Sequence, residues 1–214
     1  MKAIIAIVHA LVLVVSCSDT VPPLLDEERE LVVSLGFDEE LIAKAKGTEN
    51  SLERLWGVTA QYDWYEADGI VVITRPNWGR SELRRIRGLL EGSEYGAFVL
   101  EAAFGFEPDR VAIIRSQDPY RYLNIVRPDG INYDILHDQV LQKYKEWDKK
   151  YGLALIGASN EWLEATFEKP PANWIAFANE VYELCPDVVD QGTGSVQALA
   201  AEMARSNELY LWWD

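Results

Sequence analysis

A chain of 214 residues with 35 acidic and 20 basic side chains carries a net charge of −15. Such a surface excludes nucleic acid and anionic lipid headgroups as electrostatic partners, because neutralising phosphates needs clustered lysine and arginine. Nearly half the residues are apolar and only two are cysteine, so the fold has to rest on a hydrophobic core and not on disulfides.

The first segment, Met1-Lys2 and then an apolar run from Ala3 to Val15 broken only by His9, has the plan of a secretory signal peptide. It is too short to span a bilayer comfortably. Val14-Val15-Ser16-Cys17 resembles the lipobox of bacterial lipoproteins. That resemblance implies lipidation of Cys17, cleavage before it, and a lipid-anchored place in the bacterial cell envelope, facing outside the cytoplasm. An ordinary signal peptide with an incidental cysteine is the alternative. Ser18 to Pro23 has the polar, proline-containing composition of a tether. The expected division is a signal peptide over 1–16, a lipidated tether over 17–23, an N-terminal helical and α/β companion part over 24–119, and a C-terminal domain over 120–214.

Leu24 to Lys46 has spacings that predict two short amphipathic helices broken at Gly36, with Asp38 capping the second. From Ser51 to Thr74 the pattern is aromatic and β-branched, and Asp68-Gly69 reads as a turn between strands. Ser81 to Leu90 returns to helical period, with Arg80, Arg84, Arg85 and Arg87 forming a basic cluster that reads as a solvated face or an anion site. Ala97 to Leu100 and Val111 to Ile114 read as strands, and Pro119 to Val126 as a short helix. Asp138 to Tyr151 carries a strong apolar face and ends at Gly152. Leu153 to Ile156 and Trp162 to Glu168 make a hairpin with its turn over 157–160; the second strand alternates core and solvent positions. Helices follow over Trp174 to Tyr182 and from Val196, the latter capped by Thr193 or Ser195. Two indoles in Leu209-Tyr-Leu-Trp-Trp-Asp214 predict a closing strand tied into the core. Strand pairs and helices without regular βαβ alternation give an α+β fold, a largely antiparallel sheet with helices packed against it.

Gly130-Ile-Asn-Tyr-Asp-Ile135, Trp147-Asp-Lys-Lys-Tyr-Gly152, Lys169-Pro-Pro171, Glu183 to Gly194 and the final Trp-Trp-Asp occur in an order that resembles the bacterial family called domain of unknown function 4253. The resemblance covers roughly residues 120–214 and implies no reaction, cofactor or catalytic residue.

The candidate ligand-binding residues are Asn132, Tyr133 and Asp134 beside a glycine turn, Asp187, Asp190 and Gln191 in the acidic turn, and Trp212 and Trp213. Asp187 and Asp190 would suit Ca²⁺ if they met a cation, and otherwise cap turns; no other cofactor is expected. His137, the only histidine after the leader, reads as a capping or surface residue, and Cys185 as a buried thiol. Aromatic rings beside carboxylates suit a small cationic or sugar-like ligand or a protein partner. The expectation is an extracytoplasmic binding or interaction protein held to the membrane by its lipid. A carboxylate-dependent hydrolase and a toxin-neutralising partner protein are the alternatives.

Overall fold

A computed structural model describes residues 23–102 and 105–214. The expected signal peptide and the expected lipidation of Cys17 lie outside these residues. The described elements run in the order α1 (Asp26–Ser34), α2 (Glu39–Lys46), β1 (Ser51–Val58), β2 (Trp64–Ile73), α3 (Gly79–Leu90), β3 (Gly96–Glu101), β4 (Arg110–Ile114), α4 (Pro119–Val126), α5 (His137–Tyr151), β5 (Leu153–Ala158), β6 (Trp162–Phe167), α6 (Trp174–Leu184), α7 (Val196–Ser206) and β7 (Glu208–Trp212). A 3₁₀ turn spans Ile131–Tyr133 and a π turn spans Val188–Thr193.

The strands form one sheet in the order β1-β2-β4-β3-β5-β6-β7. Every neighbouring pair is antiparallel except β3 and β5, which are parallel and share a single bridge, Val99 opposite Gly157. The α+β class and the closing strand read from the sequence are therefore correct.

The second half of β2, with β3 and β4, is buried on both faces, which is why these stretches read as continuous apolar runs. Ile70, Val72, Ala97, Val99, Val111 and Ile113 join a core with α1, α2 and α3. Their alternates Val71, Phe98, Ala112 and Ile114 join a larger core on the other face, with α4 to α7 and the inward positions of β5, β6 and β7. The helix predictions hold closely. Asp38 accepts the Leu41 amide at 2.8 Å, and Ser195, not Thr193, caps α7 by accepting the Ala198 amide at 3.2 Å.

Two turn predictions fail, both at glycine. Asp68-Gly69 lies inside β2, with Gly69 paired to Ile114, and the hairpin turns instead over 59–63. Register shifts in β1 between Arg54 and Trp56, bringing Leu55 over Gly69, where a Cβ would lie 2.6 Å from Leu55 Cδ2. Close approach, and not a turn, explains that glycine. Gly157 likewise stays in β5, because a Cβ there would lie 2.2 Å from the Val99 carbonyl oxygen.

The β3–β5 seam is stitched from both faces. Arg87 of α3 donates to the Ala97 carbonyl at 2.9 Å and the Leu155 carbonyl at 2.7 Å, one on each strand. From the opposite face the fully buried Tyr122 of α4 donates to the Ala158 carbonyl at 2.8 Å. Two other arginines of the basic cluster also join elements, while Arg84 is exposed: Arg80 meets Glu164 and Glu208, and Arg85 meets Glu82 and the Lys44 and Ala45 carbonyls.

Gly157→Ala is expected to force the seam open and cost more than about 2 kcal/mol, as overpacking does. Tyr122→Phe, which orphans a buried carbonyl, is expected to cost about 1–3 kcal/mol. Urea unfolding of both variants checks this; wild-type midpoints would mean the seam carries no stability.

Candidate functional site

The acidic turn that the sequence singles out is a knot tied around one carboxylate. Asp187 is fully buried at the start of the π turn. Its Oδ1 accepts from the Tyr133 hydroxyl and from Gln191 Nε2 at 2.7 Å, and its Oδ2 accepts the Asp214 amide at 3.0 Å. Asn132 donates to the Asp214 carbonyl, so the 3₁₀ turn, the π turn and the last residue are held together. Burial pushes the Asp187 carboxyl up, but hydrogen bonds from Tyr133, the Asp214 amide and Gln191 outweigh it and hold the group below the usual aspartate range. The same bond, with burial and the Asp187 charge, raises the Tyr133 phenol to about 12.

Asp190 is exposed and accepts the Tyr182 hydroxyl at 2.9 Å, while Asp134 is exposed in a left-handed conformation, φ 57°. Trp213 is buried, its indole donating to the Leu184 carbonyl at 3.2 Å. Gly130 makes room for it, since a Cβ there would lie 2.5 Å from Trp213 Cδ1. Trp212 is half-buried, and its carbonyl accepts the Cys185 thiol at 2.9 Å. The Trp213 amide bonds the Glu161 carbonyl, so by antiparallel alternation the Trp212 backbone groups face away from β6. Cys185 and Asp187 thus cover the free edge of β7, which would otherwise template another strand.

Cys185 is buried, and burial pushes its thiol up to about 12, the condition of an inert core residue. His137, expected at the surface or in a cap, is buried too, with Nδ1 3.2 Å from the Pro128 carbonyl and Nε2 3.3 Å from Asn124 Oδ1. Burial and then Arg127 lower its pKa. Among the described residues no group of three or more His, Cys, Asp or Glu is arranged to hold a metal ion. No described helix is long and apolar enough to cross a membrane.

A cavity of about 420 Å³ lies against the turn itself, lined by Val188, Gly192, Thr193 and Trp212, and a larger one lies elsewhere. A cleft of about 590 Å³ sits at the carboxyl ends of β3 and β5, lined there by Leu100, Glu101 and Ala102 on one side and Ser159 and Asn160 on the other. Where two sheet halves meet at a parallel pair, the strand ends diverge and leave a crevice, the position in which open α/β sheets also place ligands. Trp56 and Trp64 line it from the β1–β2 hairpin, 48% and 62% exposed. The pairs Trp56–Glu66 and Val58–Trp64 make the two indoles diagonal neighbours on one face. Trp162 lines the opposite side, half-buried, its ring stacked on Tyr210 at 6.1 Å and packed over Gly157.

Four of the five charged residues lining this cleft are paired, and Glu161 has no cation within 4.0 Å among the described residues. Arg110 lies 3.8 Å from Glu53 and 3.4 Å from Glu101, and Arg54 lies 3.7 Å from Glu66. A smaller compartment of about 240 Å³ adjoins it, sharing Val58, Asn160 and Glu161 and adding Tyr62, Arg127, Asp129, Asn132 and Trp213. Of the residues singled out from sequence, Asn132 and Trp213 reach this compartment, whereas Tyr133, Asp187, Asp190 and Gln191 form the knot beside it. Sequence reasoning missed the larger cleft. Its one legible signal was two tryptophans, Trp56 and Trp64, at strand positions with no apolar alternation to draw them inward.

Residues 110–214 match the family model described as "Domain of unknown function (DUF4253)". The match begins with β4, so it takes in β4 to β7 with α4 to α7 and the knot, and leaves out the hairpin that carries Trp56 and Trp64. No curated protein and no solved structure matches the chain.

Asp187→Asn is expected to lose about 1.5–3 kcal/mol, the worth of hydrogen bonds to a charged group. Because the folded-state pKa is depressed, this stabilisation is fully present above the ordinary aspartate value of 3.8 and disappears as pH falls through the folded value. Urea midpoints measured from pH 7 down to pH 2 should therefore converge for the two proteins at the acid end. A constant gap over the whole range would show that Asp187 is not ionised in the fold.

Proposed function

We propose that this chain is a lipid-anchored, extracytoplasmic binding protein that holds a neutral or weakly charged saccharide in the cleft between Trp56, Trp64 and Trp162. The observation that carries the reading is three indoles on the walls of a ligand-sized cleft in which four of the five charged residues, all but Glu161, are already paired. Indole faces give broad apolar contact to the C–H faces of a sugar ring. Guanidinium and carboxylate groups side by side suit hydroxyls, which donate and accept at once. In a chain of net charge −15, paired cleft charges do not select a strongly cationic ligand.

Carboxylate-dependent hydrolysis has less support. A general acid needs a carboxyl kept protonated near neutral pH. Burial raises both Asp187 and Glu28, but hydrogen bonds outweigh it in each; Glu28 is pulled down chiefly by Lys46 and the Leu25 and Leu52 amides. The envelope address is supported by the apolar leader and the Val14-Val15-Ser16-Cys17 sequence.

Titration with a panel of glucose-, galactose- and N-acetylglucosamine-based oligosaccharides, followed by tryptophan fluorescence, tests the binding reading. At least one sugar is expected to bind, with Trp56→Ala and Trp64→Ala each weakening it at least about tenfold, or about 1.4 kcal/mol, without lowering the melting temperature. No fluorescence response across the panel, or unchanged affinity in both variants, would reject it. Separately, Cys17→Ala is expected to move the protein from the membrane to the soluble fraction; persistent membrane association would reject the lipid anchor.

A further inference from the structure

The smaller compartment contains a cation with no hydrogen-bond or ion-pair partner among the described residues. Five described arginines are half-buried: Arg54, Arg87, Arg110, Arg115 and Arg127. Four of them meet carboxylates or backbone carbonyls. Arg127 has no hydrogen bond from its side chain and no carboxylate within 4.0 Å among the described residues. With 35 acidic side chains and 20 basic ones, a partly desolvated guanidinium should find a partner easily, so its isolation is the unexpected state.

Its backbone makes the position more unusual. Arg127 is the residue that closes α4, at φ 51° and ψ 61°, a left-handed site that glycine or asparagine normally fills. A long side chain stands there at a conformational cost, and it lines the compartment together with Asn160 and Trp213.

We infer that Arg127 receives a carboxylate carried by the end of the saccharide that enters this compartment, so that the ligand class is a sugar acid. The inference rests on the saccharide reading above. A guanidinium binds a carboxylate through two parallel N–H···O bonds, and Arg127 has all its side-chain donors uncommitted. Asp129, Glu161 and Asp214 line the same compartment and oppose any anion there, a phosphate dianion more than a singly charged carboxylate, so the carboxylate is the better fit. The shared lining of the two spaces lets one short oligosaccharide occupy both, with neutral rings against the indoles and the acidic end at Arg127.

The test compares cellobiose with the corresponding disaccharide ending in glucuronic acid, by calorimetric titration of the wild-type protein, Arg127→Gln and Arg127→Gly. The acidic sugar is expected to bind wild type at least tenfold more tightly than the neutral one. That preference should vanish in both variants while neutral-sugar affinity is kept, and Arg127→Gly should melt at or above the wild-type temperature because glycine suits the left-handed site. Equal binding of the two sugars to wild type, or an acid preference that survives in Arg127→Gln, would overturn the carboxylate role and leave the saccharide reading standing. Binding of neither sugar would overturn this inference, and silence across the full oligosaccharide panel as well would overturn the saccharide reading with it.

Discussion

Everything in the fold depends on how closely two strands approach at one place. β3 and β5 are parallel neighbours joined by a single bridge, and the Val99 carbonyl can reach Gly157 only because that position lacks a Cβ. A four-stranded antiparallel unit, β1-β2-β4-β3, is thereby continued by a three-stranded one, β5-β6-β7. One backbone bridge would be a poor joint. Arg87 on one face and Tyr122 on the other supply carbonyl hydrogen bonds that the short ladder lacks, and both come from helices belonging to the two opposed cores. Beyond the bridge the strands part, and the cleft is the space they leave.

The same joint explains the separate roles of the two tryptophan sets. Trp162 packs over Gly157 and is set by the seam, while Trp56 and Trp64 line the same cleft from the β1–β2 hairpin. Trp213 is set by the C-terminal knot, where Gly130 makes room for the ring and Asp187 holds the Asp214 amide. The knot covers an exposed strand edge and forms one wall of the smaller compartment. Its polar groups are consumed by each other, which is the signature of a structural device and not of an open site.

Much of the fold was legible because the periods are clear. The alternation of Leu163, Ala165 and Phe167 with Trp162, Glu164 and Thr166 gave a strand with one core face, and the spacing of Val140, Leu141, Tyr144, Trp147 and Tyr151 gave α5 almost to the residue. What failed were glycines whose function is tertiary. Gly69 and Gly157 look like turn residues along the chain, yet each admits a side chain or carbonyl from a neighbouring strand, Leu55 of β1 and Val99 of β3. The burial of Trp213 and Cys185 was legible from their apolar settings, and the Asp187 knot only as a choice among capping, cation binding and ligand contact. The cleft was not legible, since it is assembled from residues spread between 53 and 162 in the numbering and brought together by the β3–β5 joint. Arg127 was invisible for the same reason: its isolation is a property of what does not approach it.

The most direct measurement is a crystal structure of the protein with the glucuronic acid-ended disaccharide bound. Sugar density between Trp56, Trp64 and Trp162, with its carboxylate on the Arg127 guanidinium, is the expected result. Ligand density on the Asp187–Gly194 turn, with the cleft holding only solvent, would contradict the assignment of the site.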